Sequence, residues 1–478
     1  MDVTRLFIGG KWSAPAGSDA ITVTSASTGE RLGSVPEGVG LDIENAVRAA
    51  RTAFDAAEGW PRWEPERRAA AMIRLAEELD ARGVQLASLG SAQNGCPISV
   101  NGHFDGAVPA ALLRYYAALA GDASREESRP GLAGGSASVR REPVGVVAAI
   151  VPWNFPQTLA FFKIAPALAA GCTVVLKPAR QTVLDSVLLA EAIEAADLPP
   201  GVINIVPGGP ELGAHLVSEP GVDKVSFTGS VPAGRAVAAA CARSVRPVTL
   251  ELGGKSAAVI LDDADLAAHA EQLFLASLVN NGQCCYASTR ILAPVSRYAE
   301  VVDFYTQLAR GAVVGNALSP STQIGPLVSE RQRDRVEGYI DKGRIEGARL
   351  TTGGGRPPGL EAGWFVEPTI FADVKSTSTI WQEEIFGPVL TITLYDGEDD
   401  AVSLANDSVY GLAGSVWTDD VERGARLARR MDTGTVGINH YLPEPAAPFG
   451  GWKSSGLGTE LGPEGISPYQ KFQSVYLP

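Results

Sequence analysis

This 478-residue chain has no CxxC pair, no GxGxxG run and only four histidines. Its five cysteines (Cys96, Cys172, Cys241, Cys284, Cys285) form no even framework, which excludes a disulfide-stapled fold and points to a reduced, cytoplasmic protein. His103, His215, His269 and His440 lie too far apart for a local metal motif, so a metal-free protein is expected. Basic charge is short as well. Lys and Arg number 40 against 54 Asp and Glu, and the net charge of −14 leaves no field with which to displace counterions from nucleic acid. The most apolar run, Val144 to Val151, stops at Pro152 and is far too short to cross a bilayer. Met1-Asp2-Val3-Thr4-Arg5-Leu6-Phe7-Ile8 has neither the apolar core nor the cleavage site of a secretion signal. Without GxGxxG the usual dinucleotide fingerprint is missing. Gly254-Lys255-Ser256 looks like the end of a P-loop, but Thr249 stands where that motif needs glycine, so a triphosphate site is rejected.

What is present is ordinary globular material, with 45% hydrophobic and 20% charged residues in a length that suggests about three domains. Helical spacing over 42–54 and 65–82 precedes a polar stretch, 121–141, that reads as a linker or protruding hairpin. From Val144 onward uninterrupted apolar runs alternate with helical segments. The runs are 144–151, 173–177, 202–206, 224–227 and 248–251, as buried parallel strands joined by crossover helices would be. Alternation resumes at Ala257. The chain therefore reads as α/β, with two doubly wound α/β domains and a small β oligomerisation extension. The expected division is 1–120 with 142–251, then 252–450, with 121–141 and 451–478 as bridging segments. Phe472 to Leu477 alternates like a half-exposed strand and is expected to pair with residues 121–141 across subunits. No tandem repeat or low-complexity tract occurs.

The chemistry is carried by three loops. Asn280-Asn281-Gly282-Gln283-Cys284-Cys285-Tyr286 offers a thiol, and Leu250-Glu251-Leu252-Gly253-Gly254-Lys255 offers a carboxylate. Together they suggest covalent catalysis in which the acid handles a water. Pro152-Trp153-Asn154-Phe155-Pro156 adds a side-chain amide after a buried strand. A free cysteine is more often a small buried hydrophobe. Glu251 could equally pair with Lys255, and Asn154 could serve only its own turn. Phe227-Thr228-Gly229-Ser230, at a strand-to-helix junction, can cradle a pyrophosphate or simply cap its helix with Ser230.

In this order, and with Pro448-Phe449-Gly450-Gly451-Trp452-Lys453 near the end, these segments resemble the aldehyde dehydrogenase superfamily over residues 5 to 478. The resemblance implies oxidation of an aldehyde to its acid with NAD or NADP, with Cys285 as nucleophile and Cys284 as the alternative. It implies Asn154 as oxyanion donor, Glu251 as general base, and Lys163 with Glu460 as a proton relay, although relatives often carry arginine where Thr459 stands. The implied cofactor contacts are Ile150, Trp153, Lys177, Arg180, Gly229, Ser230, Leu252, Glu384 and Phe386. Val108, Phe155, Phe162 and Phe449, with the loop from His440 to Ala447, are expected to line the substrate entrance. That lining holds few fixed charges and favours a hydrophobic aliphatic, terpenoid or aromatic aldehyde.

Arg180 departs from the family. NAD-preferring relatives often have glutamate there, which repels a 2′-phosphate; arginine removes that repulsion, or else swings into solvent. NADP is expected to be accepted at least as well as by a glutamate-bearing relative. A homodimer or homotetramer acting on a small aldehyde, without nucleic acid or membrane partners, completes the expectation. A dehydrogenase that passes its acyl group to coenzyme A, or a non-catalytic protein on the same scaffold, are the alternatives. The presence of Glu251 and Cys285 argues against them.

Overall fold

The computed structural model describes residues 1–123 and 126–478. The apolar runs become two mixed sheets. The first is built from β1 (Leu6–Ile8), β2 (Lys11–Ser13), β3 (Val146–Ile150), β4 (Thr173–Lys177), β5 (Ile203–Ile205), β6 (Lys224–Thr228) and β7 (Val248–Glu251). Its order is β2-β1-β5-β4-β3-β6-β7, closed at the far edge by the short strand Gly456–Leu457. The five central strands are parallel, while β1, β2 and Gly456–Leu457 join antiparallel. The second sheet contains β8 (Ala257–Ile260), β9 (Arg290–Pro294), β10 (Arg349–Thr352), β11 (Thr369–Ala372), β12 (Val389–Tyr395), β13 (Ala413–Trp417) and β14 (Thr435–Ile438). Its order is β10-β11-β12-β9-β8-β13-β14.

Burial on both faces explains why these strands read as continuous apolar runs. Along β3, Val147 and Ala149 enter one apolar cluster while Val146, Ala148 and Ile150 enter another on the opposite face. On β8, Ala258 and Ile260 join the first cluster, and Ala257 and Val259 a third. The largest cluster draws residues from both sheets, including Val174 and Ile291. Fully burying each such Val, Leu or Ile contributes about 1.5–3 kcal/mol, so strand order is set by many equivalent small terms.

Several helices position the site. α1 (Pro65–Asn94) begins with proline at its first position and ends at Gly95, whose φ of +83° is a left-handed helix stop. α2 (Phe104–Ala123) packs against it. α3 (Pro156–Ala170) follows β3, α4 (Val231–Ala242) follows β6, and α5 (Ala270–Leu278) leads toward the cysteine loop.

The expected strand at the C-terminus is present, Gln470–Leu477, and it meets the expected hairpin segment within the same chain. It runs antiparallel to Ser136–Pro143 of the same chain, over eight register pairs from Gln470↔Pro143 to Leu477↔Ser136. Ser136–Pro143 also pairs with Glu127–Pro130, so most of the stretch 121–141 does form a hairpin. Residues 124 and 125 of that stretch lie outside the described residues. Pairing in cis satisfies one edge of Gln470–Leu477 and leaves the other open, with Phe472, Tyr476 and Leu477 exposed. Among the described residues no helix is long and apolar enough to cross a membrane.

Candidate active site

In the first sheet the chain moves outward from β3 to β4 and β5, then returns to place β6 on the other side of β3. The gap between β3 and β6 is therefore a topological switch point, and a crevice opens beyond the carboxyl ends of such strands. A cavity of about 720 Å³ lies there, lined by Trp153 and Asn154 after β3, Gly229 and Ser230 after β6, and Leu252 after β7. Cys285, Glu384 and Phe386, from segments that precede β9 and β12, form the other wall.

The two reactive loops are tied together by asparagines. Asn154 is buried, and its backbone oxygen accepts hydrogen bonds from Asn94 Nδ2 and Asn280 Nδ2, each at 2.9 Å. Asn154 Nδ2 donates to Gln283 O at 3.2 Å, which spans the gap to the cysteine loop. Asn280 and Asn281 both adopt the left-handed region, at φ +49° and +60°, which asparagine tolerates better than most residues. Asn281 Nδ2 donates to Gly95 O and Pro326 O at 2.8 Å, and its Oδ1 accepts from Gly325 N–H at 2.6 Å. Those three bonds offset the strain of the turn. Asp105 secures the other side, accepting from the N–H groups of Gln157 and Thr158 in the first turn of α3 at 3.1 and 3.0 Å.

The adjacent cysteines face different spaces. Cys285 is half-buried and lines the large cleft, whereas Cys284 is buried and faces a cavity of about 10 Å³ shared with Gly254 and Lys255. Contact with the Cys284 thiol, then burial, pushes the Cys285 thiol well above its ordinary range. Glu251 is 3% exposed, and neither of its carboxylate oxygens has a hydrogen-bond partner. Its expected alternative, a pair with Lys255, is not formed; Lys255 Nζ is likewise unpartnered. Burial first and the nearby Glu460 second raise the Glu251 pKa well above the carboxylate range, and Lys163 opposes the shift.

Lys163 and Glu460, 297 residues apart in sequence, meet at 2.6 Å with side chains 0% and 1% exposed. Lys163 Nζ also donates to Thr228 Oγ1 at 2.6 Å, and Ser226 Oγ donates to Glu460 Oε1 at 3.2 Å. Glu460 is held in register by reciprocal backbone hydrogen bonds with Phe449 at 2.7 Å. A buried pair so enclosed resists loss of either partner, which would strand the other charge.

The cofactor side fits a dinucleotide on its own geometry. Ser230 is the N-cap of α4, its Oγ accepting from Ala233 N–H at 3.5 Å. Val231 N–H, at the first helical position, has no carbonyl within the helix to bond, and Pro232 has no N–H at all. The dipole and this free donor suit a pyrophosphate. A Cβ at Gly229 would lie 2.6 Å from the Phe227 ring, and one at Gly253 would lie 2.4 Å from Glu384 Oε2, so a side chain at either position would have to displace its neighbour. Glu384 Oε1 accepts from Gly254 N–H at 3.0 Å, and burial pushes its carboxyl up to about 7. Phe386, at φ +63°, meets the Trp153 indole edge-on with centroids 5.3 Å apart. Ile150 ends β3 within the apolar cluster that also holds Leu252. Lys177 is buried, its Nζ donating to Pro178 O and Gly208 O at 2.9 and 2.8 Å. Arg180 is half-exposed and does not swing free, because Glu37 Oε2 accepts from it at 2.9 Å.

A second cavity, of about 910 Å³, opens on the opposite side of the cysteine loop. Val100, Phe104, Phe274, Leu275 and Val279 give it an apolar wall, and the rings of Tyr286 and Tyr441 meet at a tilt with centroids 5.2 Å apart. His440, Tyr441 and Leu442, from the loop expected at the substrate entrance, line it. Val108, Phe155, Phe162 and Phe449 line neither large cavity. Phe155 packs on Phe104 at 4.4 Å, and Phe162 meets Phe449 at 6.3 Å, so they form a layer beneath these surfaces. Phe104 and Tyr286 were not singled out from sequence. Tyr286 carried a signal in its position directly after Cys285; Phe104 carried none beyond an apolar helical position.

A sequence model of the aldehyde dehydrogenase family matches residues 12–475. Geranial dehydrogenase of Castellaniella defragrans is 54% identical over 477 residues, covering 100% of this chain and 99% of that protein. The solved structure of a Mycobacterium tuberculosis aldehyde dehydrogenase complexed with NAD+ superposes with a TM-score of 0.97 at 50% identity, over 100% of this chain and 98% of that one. Aldehyde dehydrogenase C of Pseudomonas syringae, solved as a cysteine-to-alanine form with NAD+ and octanal, gives a TM-score of 0.94 at 40% identity, over 99% and 96% of the two chains. With matches that run over nearly its whole length, the chain belongs to the aldehyde dehydrogenase family, the NAD(P)-dependent oxidoreductases of aldehydes.

Proposed function

We propose that this enzyme converts a hydrophobic aldehyde to its carboxylic acid through a thioester on Cys285. The observation that carries the reading is the disposition of three groups: a cleft-facing thiol, an amide donor tied to the same loop, and a carboxyl with two unpartnered oxygens. Cys285 Sγ, once deprotonated, adds to the carbonyl carbon, and the carbonyl oxygen becomes an oxyanion. Asn154 Nδ2 and the Cys285 N–H stabilise that charge, an effect commonly worth about two to three orders of magnitude per donor. The bound nicotinamide supplies the acceptor for the hydride that the adduct loses, which leaves the thioester. Ser230 and Val231 would hold its pyrophosphate, Lys177 and Arg180 border the adenosine ribose, Glu384 the nicotinamide ribose, and Phe386 with Trp153 the ring. Glu251 then takes a proton from water as the water oxygen attacks the thioester carbon, releasing the acid and the Cys285 thiolate. Glu460 and Lys163 carry the proton onward from Glu251.

The substrate class follows from the apolar cavity beside Tyr286, whose lining holds one carboxylate, Glu271, two histidines, His103 and His440, and no lysine or arginine. Geranial, named for a relative, and octanal, bound in another, are aldehydes of this kind. A steady-state panel tests the assignment. Medium-chain aliphatic, terpenoid and aromatic aldehydes are expected to show higher kcat/KM than betaine-like or phosphorylated ones; turnover confined to charged aldehydes sinks it.

Residues 1–120 with 142–251 serve as the dinucleotide-binding domain and 252–450 as the catalytic domain, with 121–141 and 451–478 as bridging segments, a division supported by sheet membership. The open, apolar edge of Gln470–Leu477 supports assembly as a homodimer or homotetramer. Five free cysteines support a reducing, cytoplasmic location.

A pH dependence follows from the raised pKa values of Cys285 and Glu251. Each group acts only after losing its proton, and each holds that proton to higher pH than in water. Both kcat/KM and kcat are therefore expected to climb with pH through neutrality and on into the alkaline range. A flat profile over that range, with an enzyme stable throughout, contradicts the assignment.

A further inference from the structure

In a doubly wound nucleotide domain, the exit of the second strand reads the adenosine ribose: an acid there accepts the 2′-hydroxyl, and an arginine accommodates a 2′-phosphate. The second strand here is β4, and its exit, Lys177-Pro178-Ala179-Arg180, contains no acid. The acid arrives from elsewhere. Glu37, just beyond the strand Arg31–Pro36 and 143 residues before Arg180, accepts from Arg180 at 2.9 Å. Its side chain is 22% exposed against 50% for Arg180, so it is the more enclosed partner.

Gly209 fixes the location. A Cβ there would lie 3.2 Å from Glu211 Oε2, 3.6 Å from Glu37 Oε1 and 3.7 Å from Arg180 Cδ, at the N-cap of the helix Pro210–Ser218. Its neighbour Gly208 accepts the hydrogen bond from Lys177 Nζ. Two carboxylates, Glu37 and Glu211, and two basic side chains from three segments thus meet at the exit of β4, where the ribose of a bound dinucleotide would be read. Burial lowers the Lys177 pKa to about 8, with Glu37 raising it and Arg180 lowering it, so the three groups sense one another.

We infer that Glu37 selects NAD over NADP, supplying the carboxylate that position 180 lacks and holding Arg180 away from a 2′-phosphate. The inference rests on the cleft being a dinucleotide site. A 2′-phosphate would have to draw Arg180 off Glu37 and then sit beside the freed carboxylate. Partly exposed ion pairs are weak, so the discrimination comes from like-charge repulsion at Glu37 more than from the strength of the pair. Arg180 alone therefore does not confer ease with NADP, contrary to what the loop sequence by itself suggests.

Calorimetric binding of 5′-AMP and 2′,5′-ADP to the full-length enzyme tests this without turnover. Wild type is expected to prefer 5′-AMP. Glu37→Gln should shift the ratio of the two Kd values toward 2′,5′-ADP by about tenfold or more, and Arg180→Ala should weaken 2′,5′-ADP more than 5′-AMP. The ratio of kcat/KM for NAD and NADP should move in the same directions. An unmoved Kd ratio in either variant overturns the assignment while leaving the nucleotide site intact. Failure of wild type to bind 5′-AMP at all removes the nucleotide site, and the assignment falls with it.

Discussion

Cys285→Ala is expected to abolish aldehyde oxidation, lowering kcat/KM by at least about four orders of magnitude, as loss of a covalent nucleophile generally does. The size of the effect depends on Cys284 being unable to take over. Cys284 is buried and faces the small cavity with Lys255 and Gly254, away from Trp153 and Ser230. Bringing its sulfur into the cleft would require the backbone of the loop to turn, and that loop is fixed by the Asn280 and Asn281 hydrogen bonds. Cys284→Ala should accordingly retain turnover. The alanine at 285 removes one atom from a cleft wall, not from a packed core, so folding should survive and circular dichroism should match the parent. Parent-like oxidation by the folded Cys285→Ala enzyme would refute the thioester route.

How much of this could be read in the sequence depends on how local each feature is. The parallel strands were legible because burial on both faces makes each one a continuous apolar run, as in Val146–Ile150 and Thr173–Lys177. The turns at Gly229 and Asn154 were legible because a motif of four or five neighbouring residues contains them. Contacts between distant segments were not. Nothing near Arg180 announces Glu37, and nothing near the first turn of α3 announces that Asp105 caps it from about fifty residues away. The C-terminal strand shows the limit well: alternation in Phe472 to Leu477 signals an edge in need of a partner, yet period and composition carry no information on whether that partner lies in the same chain. The apolar cavity was legible only in part, for a related reason. Its wall combines Tyr441, from the loop that was expected at the entrance, with Phe104 and Val279 from two other segments that carry no signal of their own.

Glu251→Gln should separate the two halves of the reaction. Glutamine keeps the size of the side chain but cannot accept a proton from water, so acylation of Cys285 should proceed and hydrolysis should stall. The expected result is a burst of about one equivalent of reduced nucleotide per site, followed by steady turnover slowed about a hundredfold to ten-thousandfold, the usual worth of a general base. Intact-mass measurement should find the acyl group on the protein, and hydroxylamine, which attacks a thioester without a base, should restore turnover. The environment makes this outcome specific to Glu251. Glu460 is committed to Lys163 at 2.6 Å and to Ser226, leaving it poorly placed to replace the missing base, whereas both oxygens of Glu251 are unpartnered. Transfer to coenzyme A would give a different pattern: wild type would release acyl-coenzyme A in place of free acid, and Glu251→Gln would turn over normally once coenzyme A was supplied. An enzyme whose steady rate is unaffected by Glu251→Gln without any added nucleophile would require another base, and the elevated pKa of this isolated carboxyl would then have no part in the chemistry.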